Sequence, residues 1–217
     1  MRKKYNLINW ILGNLISMFG IALCTKASFG LSMIAAGPYI LHVWLRDSLP
    51  WFTQGTAEYV YELFILVITC IAIRKFKPSY LLVFAEAVIA GLVLDGWFLL
   101  LGGNGMLPEL SFRIAAFAAG AAITTLGIAF FFRTTMPLQA YEFFVVKIAE
   151  TYGYRQEKVK FFFDIGILIF VVLLALLLTH SLTGIGIGTI LITLVNAPLI
   201  SLWGKLVDRI EKPEKGE

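Results

Sequence analysis

The chain has 217 residues, of which 59% are apolar and only 15% charged, with a formal net charge of +4 and a mean hydropathy of +0.84. A soluble domain carries about 45–50% apolar and about 25% charged residues, so this composition excludes most cytosolic enzymes and any disulfide-stapled secreted module. The basic residues flank apolar runs instead of forming a patch, which argues against a nucleic-acid partner and for an all-α polytopic membrane protein.

A spanning helix needs about 20 mostly apolar residues. Six stretches qualify, at 7–25, 57–74, 79–101, 112–132, 160–180 and 186–205. The first is too long for a cleaved leader and no small-residue cleavage site follows it. Between the first and second spans, 28–45 is apolar but broken by Gly37-Pro38. Between the fourth and fifth, 137–152 carries Glu142, Lys147 and Glu150 and reads as amphipathic. Cys24 and Cys70 lie inside apolar runs and suggest neither a metal cluster nor a redox pair.

Charge decides how these segments are arranged. With six spans and both termini inside, 15 Lys and Arg residues fall on the inner side, and only Lys26, Arg46 and Arg113 fall outside. Crossings at 28–45 and 137–152 would move Arg74, Lys75 and Lys77 outside and weaken that bias. Both stretches are therefore expected to be re-entrant or interfacial helices. Irregular backbone at membrane depth survives only beside protein or a water-filled cavity.

The chain also repeats itself. Gly20-Ile21-Ala22 recurs as Gly127-Ile128-Ala129, and the same offset pairs Lys26 with Arg133, Ser28 with Thr135 and Leu31 with Leu138. In the next span Gln54 pairs with Gln156, Glu62 with Asp164, and Ile65 with Ile167. In the third, Trp97 pairs with Trp203. A single membrane domain, 1–217, is thus expected to hold repeat 1 at 7–104, repeat 2 at 112–205 and a cytoplasmic polar tail at 206–217. Three spans per half is an odd number, so the halves are inverted, an architecture that places a binding site between them. Small residues four apart (Asn9, Gly13, Ser17; Ala116, Gly120, Thr124; Ala87, Gly91; Thr193, Ala197, Ser201) read as packing seams.

Charges inside a bilayer cost about 2.5–3.5 kcal/mol each on insertion scales, so each needs a reason. Lys26 and Glu62 near the outer face, with Arg133 and Asp164 as their counterparts near the inner face, are expected to form two ion pairs, either as gates or as structural pins. Glu86 has the apolar Ile192 as its counterpart, an asymmetry that suits a residue kept for a ligand or a coupling ion. Asp95 near the outer end and Asn196 beside Pro198 are further candidates for the pathway. The run Gly184-Ile-Gly186-Ile-Gly188-Thr189 lacks the Lys-Ser/Thr of a phosphate loop and suits close backbone packing or an unwound helix entrance. His42 and His180 belong to no ligand-spaced cluster, and no catalytic constellation is present, so neither an enzyme, a metal nor a cofactor is expected.

Several of these segments together (Phe29-Gly-Leu-Ser-Met-Ile-Ala-Ala-Gly-Pro-Tyr-Ile-Leu41, Val93-Leu-Asp95, Lys158-Val-Lys-Phe-Phe-Phe-Asp164, and Gly184 to Ile190 with Pro198) resemble the YczE/YitT-like bacterial membrane proteins over about residues 10–205. Ser32-Met33 replaces the usual Ser-Pro of that family, and Ala197 replaces the Gly before Pro198. The resemblance implies a bacterial inner-membrane protein of transporter type with no assigned substrate. The expected function is a small secondary transporter for a small solute or ion, embedded in the lipid bilayer and plausible as a homodimer. The alternatives are a substrate-binding subunit resembling the S component of energy-coupling-factor transporters, and a membrane accessory protein for a partner enzyme.

Overall fold

A computed structural model describes residues 5–211, apart from the side chains of Gln156, Glu157 and Glu211. The described residues form eight α-helices: α1 (Asn6–Ala27), α2 (Met33–Leu45), α3 (Gln54–Ala72), α4 (Leu81–Leu100), α5 (Leu110–Phe131), α6 (Ala140–Tyr152), α7 (Gln156–Thr179) and α8 (Ile187–Glu211). Six of them, all but α2 and α6, are long and apolar enough to cross a bilayer, which is consistent with a multi-pass membrane protein. At 13 residues each, α2 and α6 reach only about 20 Å, short of a hydrocarbon core of about 30 Å.

Local chemistry sets the helix ends. α1 stops at Ser28, which adopts the left-handed conformation at φ 53°. The carbonyls of Ala27 and Ser28 accept from the Arg113 guanidinium at 2.8 and 3.2 Å, which satisfies groups the helix itself leaves bare. Ser32 caps α2 by accepting from the Ala35 amide at 3.3 Å. Thr53 does the same for α3 through the Thr56 amide at 3.0 Å. α6 ends at Gly153, left-handed at φ 69°.

Three expectations about boundaries change. Gly37-Pro38 does not break the second segment: α2 runs through it, because Pro38 removes one amide and the Ile34 carbonyl so released accepts instead from the Tyr141 hydroxyl at 3.2 Å. α3 begins at Gln54, three residues before the apolar run, since Thr53 supplies the cap. α8 continues past 205 to Glu211, so the first residues of the expected tail are helical; 212–217 lie outside the described residues.

α1 and α5 pack most intimately. A Cβ on Gly20 would collide with the Thr124 and Gly120 backbone, and one on Gly127 with the Ser17 backbone, so the small-residue seam expected on these two helices is present. Gly55 of α3 and Gly91 of α4 form a second such crossing, each lying against the other's carbonyl. α4 packs on α1 and α3, α8 on α5, α2 on α3 and α7, and α6 on α3 and α7. The buried core lies where α2 and α6 meet α3 and α7, around Tyr61, Tyr141, Ile40 and Val171.

Candidate functional site

Between these helices lies a cavity of about 460 Å³. Its apolar wall comes from Met18 and Ile21 on α1, Phe131 and Phe132 on α5, and Ile192 and Ile200 on α8. Ser17, Thr124, Thr193 and Ser201 add hydroxyls, and Asn196 an amide. The expected seam on α8 therefore does not close on a neighbour. Thr193, Ala197 and Ser201 face the hollow, because small residues make a close contact only when a partner helix approaches them.

The helix α2 starts at this cavity, through Ser32, Met33, Ile34 and Ala35, and α6 does so through Gln139 and Glu142. Amide-rich, partially positive helix starts thus adjoin a space that already contains charge. Three acids and a lysine line it: Glu58, Glu142, Asp164 and Lys160. The Lys160 ammonium is 2.9 Å from Asp164 Oδ1, an i,i+4 pair on α7. Glu58 is only 2% exposed, and its Oε2 is buried with no hydrogen-bond partner.

Sequence reasoning passed over Glu58, since it stands at the edge of the apolar run. Its signal is the spacing Glu58–Glu62, the same i,i+4 interval as Lys160–Asp164. Glu62, 1% exposed, accepts from the Ala140 amide at 3.0 Å through Oε2 and so caps α6 from another helix. Its Oε1 has no partner. Glu86, also 1% exposed, has neither oxygen hydrogen-bonded, and it faces the Asn14 side chain, whose Oδ1 is equally bare. Glu86 does not line the cavity, but it lies within electrostatic range of Glu58, Glu62 and Glu142.

Neither expected ion pair forms. Lys26 donates to the Gly103 carbonyl at 2.7 Å, stitching the end of α1 to the α4–α5 connection. Arg133 grips Asp208 through Nε and Nη2, both at 2.7 Å, and also donates to the carbonyls of Gly204 at 2.6 Å and Ala129 at 2.7 Å. The guanidinium prefers this fork because one carboxylate and two carbonyls match its planar donors. Asp164 is left to Lys160. Asp95 accepts from Thr53 Oγ1 at 2.5 Å and the Gly55 amide at 2.9 Å, holding the start of α3, and it does not line the cavity. Of the expected site residues, the cavity gathers Asn196 and Asp164.

The glycine run packs by backbone. The Gly188 amide donates to the Phe29 carbonyl and the Leu31 amide to the Gly184 carbonyl, both at 2.8 Å. A Cβ on Gly186 would sit 2.5 Å from the Phe29 oxygen. The run thus fastens the head of α8 to the segment before α2. Pro198 lies within α8 and leaves the Leu194 carbonyl without its helical donor, next to Asn196.

With this geometry in view, a family model described as a family of unknown function, DUF6198, matches residues 4–205. The chain belongs to that family. The match covers α1 to α7, most of α8 and all the cavity residues, and it lends no support to the YczE/YitT-like name. Neither a curated protein nor a solved structure is similar enough to the chain to match it.

Proposed function

We propose that the protein is a small secondary transporter that moves a small solute or ion through the cavity between its two halves. The observation that carries this reading is the cavity itself: about 460 Å³, walled by α1, α2 and α3 from one half and by α5, α6, α7 and α8 from the other, with acids and a lysine in an apolar setting. The helix neighbours support an inverted repeat. Exchanging the halves turns the α1–α4 contact into α5–α8, α2–α3 into α6–α7 and α2–α7 into α6–α3. Two relations depart from this exchange, since α3 lies along α4 and α4 touches α6, while neither α7 and α8 nor α8 and α2 share a comparable interface.

In this reading the membrane is a bacterial cytoplasmic membrane with both termini inside, following the distribution of Lys and Arg. Bilayer lipid covers the exposed apolar side chains of α7 and α8, such as Phe162, Leu177, Leu194 and Ile210. The buried acids suit coupling to protons. Among them, Glu86 has both oxygens buried and without a partner in the hydrogen-bonding network. The test is solute-evoked current or internal pH change in proteoliposomes given a metabolite panel, with and without a pH gradient. Transport is expected above protein-free vesicles, with Glu86→Gln abolishing its dependence on the gradient. Folded protein giving no signal across the panel would overturn the reading.

A further inference from the structure

We infer that the cavity binds a small organic cation, an alkylammonium group with an apolar body, whose charge pairs with Glu58. The inference rests on the transporter reading for its purpose but on the cavity chemistry for its content. Glu58 opens on the cavity, is 98% withdrawn from solvent by its 2% exposure, and has an oxygen with no donor facing it. A buried carboxylate oxygen in that condition needs a donor, and a charged donor is the strongest available. None of the described residues supplies one. Lys160, the lining lysine, is already committed to Asp164 at 2.9 Å.

The charges in the lining add up the same way. Glu58, Glu142 and Asp164 stand against Lys160, so an ionised lining carries two negative charges in excess. An anionic cargo would enter against that field, and a cation would relieve it. The rest of the wall indicates which cation. Among the described residues no three Asp, Glu, His or Cys side chains converge as a metal site requires. Met18, Ile21, Phe131 and Ile192 instead offer a surface suited to hydrocarbon. A volume of about 460 Å³ holds a molecule of this kind.

The experiment is calorimetric titration of the full chain in lipid nanodiscs with three probes of one shape: cyclohexylmethylammonium, cyclohexylmethanol and cyclohexanecarboxylate. Sodium chloride serves as a fourth. The ammonium is expected to bind saturably, with the alcohol and carboxylate about tenfold weaker or worse. Glu58→Gln is expected to cost about tenfold in ammonium affinity and leave the alcohol unchanged. Should that variant fail to fold, the ranking of the four probes on the unaltered chain decides alone. Carboxylate binding equal to or tighter than ammonium, sodium as the one probe that binds, or undiminished ammonium affinity in Glu58→Gln would each overturn the inference. Binding without uptake in proteoliposomes would instead overturn the transporter reading. Uptake of an anion would overturn this inference and leave that reading standing.

Discussion

The Tyr141 hydroxyl on α6 donates to the main-chain carbonyl of Ile34 on α2, 3.2 Å away. That carbonyl can accept because Pro38, four residues later, has no amide to return to it. The proline and the tyrosine are thus one device, split between the two short helices. With Tyr141 only 1% exposed, the bond joins the two elements whose N-terminal ends adjoin the cavity.

The pairing predicts non-additivity. Tyr141→Phe leaves the Ile34 carbonyl bare and should cost about 1–3 kcal/mol, read as a lower unfolding temperature in detergent. In a Pro38→Ala background the restored backbone amide takes the carbonyl, and the same Tyr141→Phe change should then cost much less. Equal costs in both backgrounds would show that the tyrosine acts through packing alone.

The Arg133 clamp predicts a sensitivity at a residue without a side chain. A Cβ on Gly204 would stand 2.7 Å from Arg133 Nη2. Gly204→Ala should therefore displace the guanidinium and weaken the clamp. The helix gains about 1 kcal/mol from losing an interior glycine, so the net destabilisation should be about 1 kcal/mol or less. Arg133→Lys should not rescue it, since an ammonium cannot span Asp208 and two carbonyls as a fork does. Thermal unfolding of the single and double variants checks this, with Gly204→Ala no longer destabilising once Arg133 is already Ala.

His42 gives stability a pH dependence. Its Nδ1 is 2.8 Å from the Phe52 carbonyl and its Nε2 is 2.7 Å from the Asn104 amide nitrogen. The neutral ring fits both, donating from Nδ1 and accepting at Nε2. Burial holds the imidazole below its ordinary value and Arg46 acts in the same sense, against the Phe52 carbonyl and Asp95. The unfolded chain then binds the proton more readily than the folded one. The contribution is complete above about pH 6.5 and shrinks as the pH falls below that, by no more than about 1.4 kcal/mol per unit. Melting curves between about pH 5 and 8 should flatten in His42→Asn, and an unchanged slope would assign the effect to other groups.

The crossing of α3 and α4 should tolerate nothing larger than glycine. Gly55→Ala places a methyl against the Gly91 carbonyl and the Asp95 carboxylate that holds the α3 start. It should lower stability by at least as much as Gly96→Ala raises or lowers it, because Gly96 has open space around it. Paired melting experiments on the two variants measure the difference directly, and similar effects would remove the close approach as the cause.

Much of this architecture was legible in the chain. Length and hydropathy define the six long helices because a bilayer imposes one scale on all of them. Charge at 137–152 and chain length mark the two short ones. The glycine seam between α1 and α5 follows from spacing. The choice of ionic partners was not legible, because Arg133 reaches Asp208 only through the way α5 crosses α8. Nor was the role of Thr193, Ala197 and Ser201, since one small-residue stripe serves equally for contact and for hollow. Glu58 was hidden by its position: Thr53 starts α3 early and draws into the cavity wall a residue that hydropathy leaves at a boundary.

α8 has its one extensive helix interface on α5, and both its ends are pinned, the head by Gly188 to the Phe29 carbonyl before α2 and the tail by Asp208 to Arg133 just past the end of α5. A beam fixed at both ends yields at midspan. There Pro198 has removed a helical hydrogen bond, and there Asn196 and Ala197 face the cavity. The lining helix on this side of the chamber is therefore least braced at Leu194–Pro198, and its stiffness there rests on side-chain packing more than on the helical ladder.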